Sequence, residues 1–340
     1  MPEAPRPSTL LERAGRAAAG IGELGSGDSP RGRAVKAVVV VLVVAFVGVF
    51  LATQLGKLPD HDWRFEPGWL ALAVASAALF YAASGQAWLA ILHSLGERLD
   101  PAPGHAVFTK ALVARYVPTS VLSLVGRLVL AERHGVGKRA CFASVVYEVG
   151  CSLAAAVVVG SYFVVTLPPL EDVPARFAVF ALVPLALGAL HPRVFHPLAD
   201  RGLRKLGREP LPRSLPFSRV LGFVLVYVML WLLVGVSLFA FAAALHPVGV
   251  EDLPYVAASY SVGFCVAVLT FVVPAGLGTR DATIAAALDV VLPGSVAIAI
   301  AVAFRIFQTL AELVYLGVAT LIGRRGAPPT AGPRSPASSR

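Results

Sequence analysis

Across its 340 residues the chain is 57% hydrophobic and only 14% charged, with a mean hydropathy of +0.75. Soluble domains usually carry about 25% charged residues. The net charge of +9 would fit a nucleic-acid partner, but the basic residues fall between apolar runs, where they report membrane orientation instead. The composition predicts an all-α polytopic membrane protein and excludes a soluble enzyme domain.

Residues 1–36 mix Pro, Gly, Ala and both charge signs without a short apolar core, so they read as a cytoplasmic, partly disordered segment and not as a signal peptide. Apolar runs near 37–55, 68–92, 140–166, 176–190, 220–245 and 295–322 approach the roughly 20 residues that a spanning helix requires. That predicts about six spans. Residues 323–340, rich in Pro, Ser and Gly, read as a disordered tail.

Arg31, Arg33 and Lys36, the cluster from Arg193 to Arg219, and Arg324 with Arg325 mark cytoplasm; the connections near 56–67, 167–176 and 246–254 hold few basic residues. Both termini are therefore expected inside.

Two apolar regions, 105–137 and 255–291, are interrupted midway. Orientation on either side requires the first to start and end inside and the second to start and end outside. Each is read as a re-entrant helical hairpin, which makes residues 37–166 and 176–322 an inverted-topology repeat. Two other readings stay open: an interfacial amphipathic helix for the first region, and a full span followed by a loop for the second.

Charged side chains inside the bilayer cost about 2.5–3.5 kcal/mol each and need a partner or a wet cavity. Glu148 lies roughly 15 Å along its helix from Arg139. Arg305, Gln308, Glu312 and Tyr315 share one helical face. An Arg305–Glu148 pair joining two helices would account for both charges. In the first hairpin Pro118 breaks the helix, and Ser120, Ser123 and Arg127 follow at steps of three and four.

In the second hairpin, FVVPAGLGTRDATIAAAL, Pro274 removes a helix donor, while Gly276 and Gly278 permit a bend and close backbone approach. Thr279 is the expected N-cap of a half-helix whose free amides and Arg280 together suit an anion. Asp281 fits equally well as a helix-start carboxylate. Cys141, Cys151 and Cys265 sit in apolar segments without paired spacing and read as small buried hydrophobes. His61, His93, His105, His134, His191, His196 and His246 fall in loops or at helix ends and read as interface residues.

The motif VPAGLGTRDA resembles the PGGIGVREA-type motif of the lysylphosphatidylglycerol synthetase transmembrane region, a flippase-like integral membrane family. The similarity extends to YVPTSVLSLVGRLVLAERHGV, to SVVYEV with Glu148, and to Arg305, covering about residues 35–322. Asp281 stands where Glu is usual, Ala275 where the first Gly is usual, and Ser123 where many members carry an acid. The resemblance implies translocation, between leaflets, of an amphiphilic lipid or polyprenyl-linked precursor by a stand-alone membrane unit, without lysine transfer.

In that reading the protein is a lipid flippase of the plasma membrane rather than an enzyme, and it uses no cofactor and no metal. Arg127, Arg280 and Arg305 hold headgroup phosphate with Ser120, Ser123, Gly276 and Gly278. Glu148, Asp281 and Glu312 supply counter-charge or carry a proton, and Pro118 and Pro274 are the breaks. Membrane lipids are the expected partners, nucleic acid is not, and a lipid-modifying enzyme or a second copy of the chain is compatible. An intramembrane enzyme acting on lipid phosphates or glycolipids is the competing class, and a non-transporting scaffold for a lipid-modifying synthase the third.

Overall fold

The computed structural model describes residues 63–113, 121–167, 170, 172–205, 214–269 and 279–325. The expected first span, both terminal segments, Pro118, Ser120, Pro274, Gly276 and Gly278 lie outside these residues, as does the side chain of Ser123. The described residues are helical, with no strand among them.

The α-helices run in order as α1 (Pro67–Ser94), α2 (Pro101–Val113), α3 (Val121–Glu132), α4 (Lys138–Thr166), α5 (Leu182–Ala189), α6 (Pro192–Lys205), α7 (Phe217–Leu245), α8 (Leu253–Leu269), α9 (Thr279–Leu288) and α10 (Gly294–Arg325). Four of them, α1, α4, α7 and α10, are long and apolar enough to cross a membrane. They coincide with four of the expected spans.

The expected span at 176–190 has a different build. A 3-10 helix, Pro174–Ala181, runs directly into α5, eight residues each. A 3-10 turn rises about 2.0 Å per residue against 1.5 Å in an α-helix, so this short stretch reaches about 28 Å.

Local chemistry sets the boundaries. Pro67 opens α1, where its missing N–H costs nothing, and Gly96 at φ +96° turns the chain sharply after it. Each interrupted region resolves into two helices packed on each other, α2 with α3 and α8 with α9. The two pairs meet α10 at different ends. Near the C-terminal end of α10, a Cβ at Gly323 would lie 3.1 Å from Ala106 of α2; at its N-terminal end, Asp289 after α9 sits against Gly294.

The core is where α1, α4, α7 and α8 meet. Ser237 of α7 donates to the Ala73 carbonyl of α1 at 2.9 Å, and Trp69 meets Phe239 edge-on. At Gly235 an added Cβ would lie 2.5 Å from the Ala257 carbonyl, so α7 and α8 touch backbone to backbone.

On α10 the usual polarity is reversed. Leu310, Val314, Val318 and Leu321 are exposed along one side, while Arg305, Gln308, Glu312 and Tyr315 turn inward on the other. Such a helix suits a hydrocarbon solvent and would not suit water.

Candidate functional site

The charged side chains gather into two clusters, one at each hairpin. In the first, Arg127 of α3 forms an ion pair with Glu148 of α4. Its guanidinium also lies over two rings, 5.1 Å from Trp88 of α1 and 4.9 Å from Phe108 of α2. The indole is fixed in turn by donating to Ser144 Oγ at 3.0 Å. Arg127 is 8% exposed. One cation meets one anion, with aromatic faces around them, so the cluster is electrically closed.

This answers the question left open for Glu148: its partner is Arg127 on the neighbouring helix, and Arg305 pairs elsewhere.

The second cluster forms where α9 starts beside α8 and α10. Gly263 makes room for it, since a Cβ there would lie 3.2 Å from the Arg280 side chain and 3.1 Å from Ile284. Arg280 donates to the Tyr260 hydroxyl at 3.0 Å and to Gln308 Oε1 at 3.4 Å, and Tyr260 donates to the same Gln308 oxygen at 2.9 Å. The Arg280 guanidinium also covers the Tyr260 ring at 5.3 Å.

Asp281 faces both arginines, with Oδ1 3.4 Å from Arg280 Nε and 3.8 Å from Arg305 Nη1. It occupies the first turn of α9 as well, so its two expected roles coincide. The residues before Thr279, which the expected N-cap would join to the helix, lie outside the described residues.

Two guanidiniums and one carboxylate sum to +1. The three side chains keep between 15 and 20% of their surface accessible. An accessible, positively charged group of donors beside a helix start is suited to an anion.

From this cluster a polar line follows the inner face of α10. Tyr81 of α1 donates to Glu312 Oε1 at 3.0 Å and lies 3.3 Å from the Gln308 carbonyl. One turn on, Tyr315 hydrogen-bonds to Nδ1 of His105 on α2, whose Nε2 is 3.4 Å from Gln86 Oε1.

His105, expected among the interface histidines, is thus part of a tertiary contact. Its flanking prolines resemble a loop, but Pro101 opens α2 and places His105 in that helix. Tyr81 and Tyr260 carried no signal in the sequence, because an apolar run hides a tyrosine whose hydroxyl matters. All three cysteines are free; Cys141 and Cys151 are buried and Cys265 partly so.

Comparison with curated protein sequences gives no match. Residues 33–314 match the family described as lysylphosphatidylglycerol synthase TM region. That span includes both hairpins and both charge clusters, and the chain belongs to this family of integral membrane, lipid-related proteins.

Proposed function

We propose that the protein is a flippase, moving the phosphate-bearing headgroup of a lipid or polyprenyl-linked precursor between leaflets while its tails stay in hydrocarbon. The observation that carries this reading is the second cluster. Arg280 and Arg305 share Asp281, hold a net positive charge and remain partly accessible. Crossing hydrocarbon as a bare ion costs a headgroup tens of kcal/mol by Born estimates, and donors of this kind replace its lost water.

The pattern of helix packing supports an inverted repeat with two re-entrant hairpins. Exchanging α1 with α7, α2 with α8, α3 with α9 and α4 with α10 maps the packed pairs onto one another: α1–α2 onto α7–α8, α2–α3 onto α8–α9, α3–α4 onto α9–α10, and α4–α8 onto α10–α2. The α1–α7 pair maps onto itself. Such repeats bind at their interface and alternate by rocking one half on the other. The α2–α3 and α8–α9 pairs would then reach into the bilayer from opposite faces. In this reading the protein spans the plasma membrane several times with both termini in the cytoplasm, is not an enzyme, and has membrane lipids as its partners.

The test is headgroup transfer in proteoliposomes. Arg280→Ala should lower transfer of an anionic phospholipid at least tenfold while the protein stays monodisperse. Wild-type rates in that variant reject the assigned role, and a covalently altered lipid product would favour an enzyme.

A further inference from the structure

We propose that α6 is a docking surface for anionic lipid, lying along the membrane and holding the phosphate headgroups of the leaflet at which α7 begins. The proposal is independent of the flippase reading. Residues 191–219 carry seven lysines and arginines against two acidic residues, so more than half of the chain's net charge of +9 falls in this one connection. A polybasic segment next to a spanning helix is attracted to anionic headgroups.

The two faces of α6 differ. Arg193, Pro197, Arg201 and Arg204 are exposed and follow at steps of four, four and three, within an arc of about 80°. Val194 beside them is 45% exposed and adds an apolar side chain to the same surface. Phe195 and His196 face the protein instead. The Phe195 ring lies 4.7 Å from that of Tyr147 on α4, and His196 Nε2 is 3.4 Å from the Tyr147 hydroxyl. That hydroxyl also accepts from the Leu215 backbone N–H at 3.2 Å, so one tyrosine ties down both ends of the connection. Asp200, the one acid on α6, is half-buried.

Contacts at its start set the level of the helix. The His191 ring, just before α6, is 5.0 Å from that of Phe217, the first residue of the spanning helix α7. Leu190 is buried against Gly150 of α4, where a Cβ would lie 2.6 Å from its side chain. Laid along the surface from there, α6 brings all three exposed arginines within the screening length of about 10 Å, whereas upright it would carry Arg204 about 18 Å away. A guanidinium offers paired N–H donors to phosphate oxygens. A second exposed basic group, Arg133, Lys138 and Arg139 at the turn between α3 and α4, is balanced internally: Lys138 pairs with Glu132 at 2.9 Å, and Glu97 lies against Gly137.

The experiment uses the full chain in phosphatidylcholine vesicles and compares, by electron spin resonance, how strongly spin-labelled phosphatidylglycerol and spin-labelled phosphatidylcholine are held at the protein boundary. Wild type should prefer phosphatidylglycerol about fivefold, and about 0.5 M salt should bring the two level. Replacing Arg193, Arg201 and Arg204 together by Gln should lower the preference below about twofold. Replacing Arg133, Lys138 and Arg139 by Gln removes the same formal charge and should leave at least about threefold. Equal losses in the two triple variants would assign the preference to net charge alone and overturn the docking surface, as would a wild type without preference. Arg193→Gln and Arg204→Gln should each weaken it singly, and they carry the test if the triple variant misfolds; a loss confined to Arg193→Gln means that the helix stands off the membrane and also overturns the proposal. Because the readout is lipid association and not transfer, its outcome is separate from that of the flippase test.

Discussion

The two arginine clusters stand in opposite situations. In the proposed repeat Arg127 on α3 and Arg280 on α9 occupy corresponding helices, yet the long helices beside them offer Glu148 on α4 and Arg305 on α10. The first arginine is neutralised by one carboxylate and lies over Trp88 and Phe108; the second shares a single aspartate with another arginine. The same residue type is therefore charge-balanced in one cluster and left with a net positive charge in the other. Charge balance makes the difference.

The largest expected effect breaks the ion pair. Arg127→Ala leaves the largely buried Glu148 without its partner, which should cost about 3 kcal/mol. Reversible denaturation in mixed detergent micelles checks this. Arg127→Met combined with Glu148→Leu should recover most of the loss, because an apolar pair replaces the ionic one. Failure of the double variant to recover stability would mean that the cluster holds more than its own charge balance.

Smaller effects sharpen the contrast. Ser144→Ala leaves the buried Trp88 indole N–H without its acceptor and should cost about 1–2 kcal/mol in the same assay, since the ring that covers Arg127 loses its anchor. Arg280→Ala should cost only about 1 kcal/mol in stability, because Asp281 keeps Arg305 as a partner. If its cost equals that of Arg127→Ala, the two clusters are alike after all. Least of all, Asp281→Asn raises the second cluster from +1 to +2. Binding of a phosphomonoester lipid should then strengthen about threefold relative to a phosphodiester, with a steeper loss in salt, as read by fluorescence titration.

How much of this could be read from the chain depends on what each feature answers to. Spans follow from local hydropathy, so α1, α4, α7 and α10 were legible to within a few residues. The inner face of α10 was marked by helical spacing, while the expected breaks at Pro118 and Pro274 lie outside the described residues. Pairing was not legible. Arg127 and Arg305 are equally plausible partners for Glu148 until the packing of α3 on α4 decides between them. Tyr260 and Tyr81 matter because of where neighbouring helices bring their hydroxyls, which no local pattern records. His105 was obscured by prolines that start a helix but resemble a loop.

The reciprocal packing of α10 on α2 and of α4 on α8 has a consequence for how the molecule is made. In the proposed repeat each half lends its closing helix to the other half's helix pair, so neither can seal itself. A chain severed between α6 and α7 should yield fragments that are degraded when expressed singly and that reassemble when expressed together. If the proposed repeat holds, an ancestor containing one such half would have been complete only as a pair of oppositely inserted copies, each holding the other shut.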